Sequence, residues 1–156
     1  MYTVRGRSAA TAGTANHAVW QLWNPHATQR IKLIQWSMFA QSAAPAAGWS
    51  GRLKRTTAIG TAGSTVTPDI DNHSERAIAP PSGALLHLAA FTVQPTLDDS
   101  ELGLGFTFAA VQASGIVAPI PGGLVIPPGT GIAFVQVPAT ASVVFEVSAS
   151  WLEDWM

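Results

Sequence analysis

The stretch Gly131-Ile132-Ala133-Phe134-Val135-Gln136-Val137, the connector Pro138-Ala139-Thr140-Ala141 and the run Ser142-Val143-Val144-Phe145-Glu146-Val147-Ser148-Ala149-Ser150-Trp151 decide the fold class. In the last run Val143, Phe145, Val147, Ala149 and Trp151 share one face, and Ser142, Glu146, Ser148 and Ser150 the other, with Val144 the exception. A period of two is that of a β-strand, whose successive side chains point to opposite sides, so this strand has one face on a core and one in water. The Gly131–Val137 run differs. Ala133, Val135 and Val137 line one face while Ile132 and Phe134 line the other, so both faces want burial. In a small antiparallel domain this predicts a cover from outside, namely another copy of the chain.

Working outward, the same patterns recur between turn signals. A strand from Ala18 to Trp23 stops at Asn24-Pro25. Arg30–Ala40 is apolar on both sides, with Ile31, Leu33 and Phe39 against Ile34, Trp36 and Met38. Arg52–Ile59 is polar enough to be an edge strand, where Lys and Arg discourage stray pairing. Further strands are expected over Ala84–Val93, Leu104–Gln112, Ile116–Ile120 and Leu124–Ile126, with loops at Gln41–Gly51 and Gly60–Asp71. Asp71–Ala79 is the one candidate helix, ended by Pro80-Pro81. Met1–Asn16 is small and polar without a packing pattern, which reads as an arm. The expected architecture is all-β: a flexible N-terminal arm over residues 1–17, then a single jelly-roll β-sandwich of about eight antiparallel strands over residues 18–156.

Composition bounds the function. The chain has 156 residues, enough for one domain with a real core, and is 47% apolar but only 11% charged, against about 25% in a typical domain. So little charge leaves a monomer short of polar surface, and assembly is the usual remedy. No charged residue occurs from Leu102 through Phe145, yet Gly and Pro break that run too often for a membrane span. The start has no apolar signal-peptide segment. A net charge of −1 argues against direct nucleic-acid binding, and the absence of Cys removes disulfides, thiolate chemistry and Cys-bound zinc. All eight basic residues lie between Arg5 and Arg76, and all nine acids lie from Asp69 onward. This segregation reads either as complementarity between copies or as strands of both halves interleaving in the same sheets.

Residues for catalysis are not evident. The four histidines, His17, His26, His73 and His87, show no ligand spacing, and His87 lies within an apolar strand, where a core imidazole is expected. Asp69 to Glu75 faintly suggests a calcium loop, but it lacks the Gly and its Glu comes too early, so it reads as a turn and helix N-cap. Asp98-Asp99-Ser100-Glu101 reads as a solvated turn, with no second carboxylate pair opposite it for glycoside hydrolysis. No nucleophile elbow or phosphate-cradling loop occurs, so neither a catalytic residue, a metal ligand nor a cofactor is assigned. Six tryptophans against one tyrosine point instead to anchors in a core or between subunits. The interface candidates are Trp20, Trp23, Trp36, Ile132, Phe134 and Trp151. Trp49, in a predicted loop, is the candidate ligand-loop residue or else folds back over the domain's end.

Several segments carry a resemblance. Leu22-Trp23-Asn24-Pro25, Ile31-Lys32-Leu33-Ile34, Val125-Ile126-Pro127-Pro128-Gly129-Thr130-Gly131-Ile132-Ala133 and the final Val143–Glu153 are similar to small jelly-roll virion proteins of tailed phages. The resemblance covers the chain from about residue 18 onward and rests on structural punctuation rather than an active-site fingerprint. It implies a head decoration (cement) protein at the virion surface, assembled in the host cytoplasm. Its partners would be two further copies in a homotrimer and the major capsid protein. Arg5 and Arg7 are the candidate capsid-contacting residues of the arm. A carbohydrate- or receptor-binding module of a tail or head fibre is the alternative.

Overall fold

The computed structural model describes residues 1–41, 48–66, 83–108, 114–139 and 142–153. Among them it contains no helix and ten strands: β1 (Tyr2–Arg7), β2 (Ala18–Asn24), β3 (Ile31–Ala40), β4 (Trp49–Ala58), β5 (Thr61–Val66), β6 (Leu85–Val93), β7 (Thr96–Phe108), β8 (Gly115–Ile126), β9 (Thr130–Gln136) and β10 (Phe145–Glu153). All pair antiparallel, in a four-stranded sheet of order β1-β10-β3-β8 and a six-stranded sheet of order β5-β6-β2-β9-β4-β7. Leaving β5 and β6 aside, the pairs are nested: β4 with β7, β3 with β8, β2 with β9 and β1 with β10. The β5–β6 pair is added to the free side of β2.

The sheets meet on a continuous core. Val143, Phe145, Val147, Ala149 and Trp151 are all buried, as the alternation of the last strand requires. They face Leu22, Leu53, Ile132 and Phe134 of the six-stranded sheet within one cluster. At its centre Phe134 stacks on Trp20 (6.3 Å) and Trp49 (5.7 Å), while Trp36 of the other sheet tilts against Trp20 (5.7 Å) and Phe134 (4.9 Å). Such pairs contribute about 0.5–1.5 kcal/mol each beyond the area they bury. Gly51 makes this stack fit: a Cβ there would lie 2.4 Å from the Phe134 ring.

The six-stranded sheet curls into a half-barrel. Two-residue links force this. Ile59-Gly60 joins β4 to β5, and Gln94-Pro95 joins β6 to β7, although β5 and β6 lie across β2 and β9 from β4 and β7. In a flat sheet β6 and β7 would be four spacings of about 4.8 Å apart, beyond the reach of two linking residues. Small side chains permit the bend. Ala18, Ala133 and Val135 line the hollow, with Phe91 and Leu97 packed on them. Gly131 completes it, since a Cβ there would sit 2.7 Å from both the Leu22 carbonyl and Thr56 Oγ1. Gln21 locks the curl: its Nε2 donates to Thr56 Oγ1 (2.7 Å) and the Ala58 carbonyl (3.2 Å), and its Oε1 accepts from Gly60 N (3.0 Å).

Five expectations need correction. Ala133 and Val135, on the second face of Gly131–Val137, are covered by the chain's own curl, so they do not call for another copy; Val137 beyond them is 40% exposed. Residues 1–17 are not a free arm. Tyr2–Arg7 pairs with β10 in register Tyr2↔Trp151 to Arg7↔Glu146, and Tyr2 and Val4 are buried. The chain beyond it is tied down by Ser8 N to Phe145 O (2.8 Å), Ala9 N to Ala89 O (2.7 Å) and Thr11 N to Val143 O (3.0 Å). The Arg52–Ile59 strand is not an edge, because β4 lies between β9 and β7. Thr61–Val66, expected as loop, is β5, and the two short strands expected at Ile116–Ile120 and Leu124–Ile126 are one irregular strand, β8. The helix expected over Asp71–Ala79 lies outside the described residues.

Candidate functional site

Most residues singled out as interface anchors are core. Trp20, Trp36, Ile132, Phe134 and Trp151 are at most 1% exposed within a single chain. Trp49 is no loop residue but opens β4, where it is buried edge-on against Phe145 at 5.0 Å, so its ring is not open to a ligand. Trp23 alone is half-buried, on the hollow side of the half-barrel above Gly131.

The outward face of the four-stranded sheet is different in character. Hydroxyls pair across it, Ser37 with Ser148 at 2.6 Å and Thr3 with Ser150 at 2.9 Å. Arg5, its side chain 74% exposed, meets Glu146 at 3.5 Å, and Glu146 also accepts from Gln41 Nε2 at 3.2 Å. Arg7 is exposed on the same strand, opposite Glu146. Of the eight large apolar side chains exposed among the described residues, four (Phe39, Val117, Val125 and Leu152) belong to this face, and none of the described elements covers them. The Phe39 ring lies close over Gly115, where a Cβ would collide with it. An apolar, weakly charged, regular face of this kind suits contact with another protein surface.

No family model matches the chain, and no curated protein or solved structure matches it. Function therefore rests on the geometry alone.

A second feature is a cleft of about 370 Å³ at the rim between the sheets, lined by Arg55, Thr56 and Thr57 of β4, Asp98 of β7, Val125 of β8, Pro127 of the β8–β9 turn and Thr130, which opens β9. The Arg55 guanidinium spans the gap, donating from Nη1 to the Val125 carbonyl at 3.0 Å. Asp98 is placed by an irregularity in pairing: β4 takes four steps from Arg52 to Thr56 while β7 takes eight from Leu97 to Gly105. Bulges of this type re-aim side chains at sheet edges. The expected solvated turn at Asp98–Glu101 is thus part of a strand. Thr130 Oγ1 donates to the Pro127 carbonyl at 2.8 Å and fixes the turn. Sequence reading passed over Arg55, Thr57 and Thr130. The available signal was the polar run Lys54-Arg55-Thr56-Thr57 inside an apolar chain.

Buried titratable groups lie elsewhere. The fully buried Glu153 carboxylate accepts from Trp151 Nε1 at 3.2 Å and has His26 Nε2 at 3.8 Å. Burial first, and then the Glu153 charge, push the Tyr2 phenol above its ordinary pKa. Burial pushes His87 down, with the Gly60 backbone partly opposing it. Among the described residues no three His, Asp or Glu side chains group as a metal site. The Asp69–Glu75 cluster lies outside the described residues.

Proposed function

We propose that this chain is a non-enzymatic structural protein of a tailed-phage virion, a decoration protein that forms homotrimers and binds the major capsid protein on the head exterior. The fold proposed for it is a jelly roll. What supports that is the nested pairing of β1–β4 with β10–β7, the order generated when one long hairpin wraps around a core, with β5 and β6 as an inserted pair on the β2 side. The observation that carries the function is the uncovered face of the four-stranded sheet. In this reading Phe39 and Val117 pack between copies, and Arg5 and Arg7 at the β1 margin meet the capsid. Such a protein acts by mass action, adding buried interface across joints that internal pressure tends to open.

Light scattering of the purified protein across a dilution series tests it. The expected mass is near three times 16.3 kDa, and Phe39→Glu with Val117→Glu is expected to return a folded monomer. A wild-type protein that is monomeric at all concentrations would overturn the trimer. Co-sedimentation with shells of a tailed-phage major capsid protein tests attachment, where no binding by the trimer removes the decoration role.

A further inference from the structure

The rim cleft shares only Val125 with the outward sheet face and is otherwise built by β4, β7, the β8–β9 turn and the first residue of β9, which points to a separate activity. We propose that the cleft between β4, β7 and the β8–β9 turn is a binding site for a neutral saccharide, recognised through a vicinal pair of hydroxyls. The chemistry of the lining is mixed in the way a sugar requires. Arg55 is a fork of five N–H donors, one of which is engaged by the Val125 carbonyl, and that bond holds the remainder of the fork in the gap. Asp98 brings a carboxylate that accepts hydroxyl protons, so donor and acceptor line one cleft. Thr57, exposed on β4, adds a hydroxyl that both donates and accepts. Val125, 39% exposed, and the Pro127 ring supply the apolar wall for the C–H face of a pyranose.

Two features mark the place as built rather than incidental. The β7 strand spends four extra residues opposite β4 where Asp98 occurs, a departure from regular pairing of the kind that re-aims side chains. The opposite wall is a turn closed by Thr130 Oγ1 on Pro127 and by Gly129 N on the Asn24 carbonyl (2.9 Å), so both sides are held by the frame before any ligand arrives. The volume is at the small end of the range of about 300–1,000 Å³ for ligand sites, which favours one or two sugar rings. A carboxylate lining the same cleft as Arg55 disfavours an anion. That separates this proposal from an acidic-sugar or phosphate site.

The test is a titration of the full-length ¹⁵N-labelled protein with methyl glucoside, methyl mannoside, methyl galactoside, lactose, glucuronate and inorganic phosphate, followed by amide shifts. The expected result is saturable shifts of Arg55, Thr57, Asp98 and Thr130 with at least one neutral sugar. Asp98→Asn and Arg55→Gln are each expected to weaken that binding roughly tenfold or more, with melting temperature and native mass unchanged. No saturable shift with any neutral sugar up to tens of millimolar overturns the proposal. Binding of only glucuronate or phosphate, lost in Arg55→Gln and kept in Asp98→Asn, overturns it in favour of an anion site. Native mass is read separately, so failure here and failure of the trimer are distinguishable.

Discussion

The two sheets solve the problem of their second face in opposite ways. In the four-stranded sheet, β10 alternates buried and part-exposed residues, with hydroxyls and a few apolar side chains facing out. In the six-stranded sheet, β9 is buried from Gly131 through Gln136, because the sheet bends over its own outer face. A strand apolar on both sides therefore does not by itself announce a subunit contact. The region with the weaker apolar signal is the one left open to a partner, and the region with the stronger signal is closed within the chain.

Removing the element that both sheets share should break the contrast altogether. Phe134→Ala leaves a void among Trp20, Trp36 and Trp49 and is expected to cost about 3–5 kcal/mol, read from urea unfolding. Both sheets should melt together, and a surviving folded sheet would mean that they are less dependent than their shared core implies.

Gln21→Leu acts on the curl alone. It leaves the buried Gly60 N–H without its acceptor and is expected to cost about 1–3 kcal/mol. Hydrogen exchange should rise in β5, β6 and the Ile59-Gly60 link while β3 and β10 stay protected. Equal loss of protection in β3 and β10 would count against an independent lock. Gly131→Ala crowds the same hollow, at Leu22 O and Thr56 Oγ1, and should destabilise by about 1–3 kcal/mol.

His87, in β6 of the curled sheet, gives that sheet a pH dependence. Its folded-state pKa lies below the ordinary 6.5, so folding favours the neutral ring. That contribution is whole above about pH 6.5, and it is lost as pH falls from there through the folded-state value. Midpoints of urea unfolding should drop over this window, and His87→Gln should flatten the drop. A slope unchanged by the substitution assigns it to other groups. The smallest effect is expected at Arg5→Ala on the open face, within about 0–1 kcal/mol, because the Arg5–Glu146 pair is exposed.

Legibility followed the same division. The alternation of β10, the core role of its buried face and the Asn24-Pro25 stop were readable, because a one-sided strand writes its environment into a period of two. Strand β1 was missed since only Tyr2 and Val4 mark its buried side, among residues that otherwise suit a loose segment. Strand β5 carries Thr61-Ala62-Gly63-Ser64-Thr65-Val66, with almost no bulk to show a pattern. Lys54 and Arg55 read, in sequence, as signs of an edge. The same residues suit a strand covered by β7 whose outward side chains reach a rim. The curl depends on which strands two short links connect, and periodicity holds no record of that. The cleft was illegible for the same reason, as Arg55, Asp98 and Thr130 come together only through the pairing order.

The nested pairing also sets an order of assembly in time. Each pair brackets the next, from β4 with β7 inward of β3 with β8, outward to β1 with β10. Closing β1 on β10 from an open chain would join Tyr2 to Trp151 across almost the whole sequence, a slow event for a β-protein. Once the inner pairs exist, each outer pair adds only a short increment of loop, and its entropy cost falls accordingly. The protein is therefore expected to close like a zipper from the β4–β7 end. Substitutions in β1 should then speed unfolding while leaving the folding rate nearly unchanged.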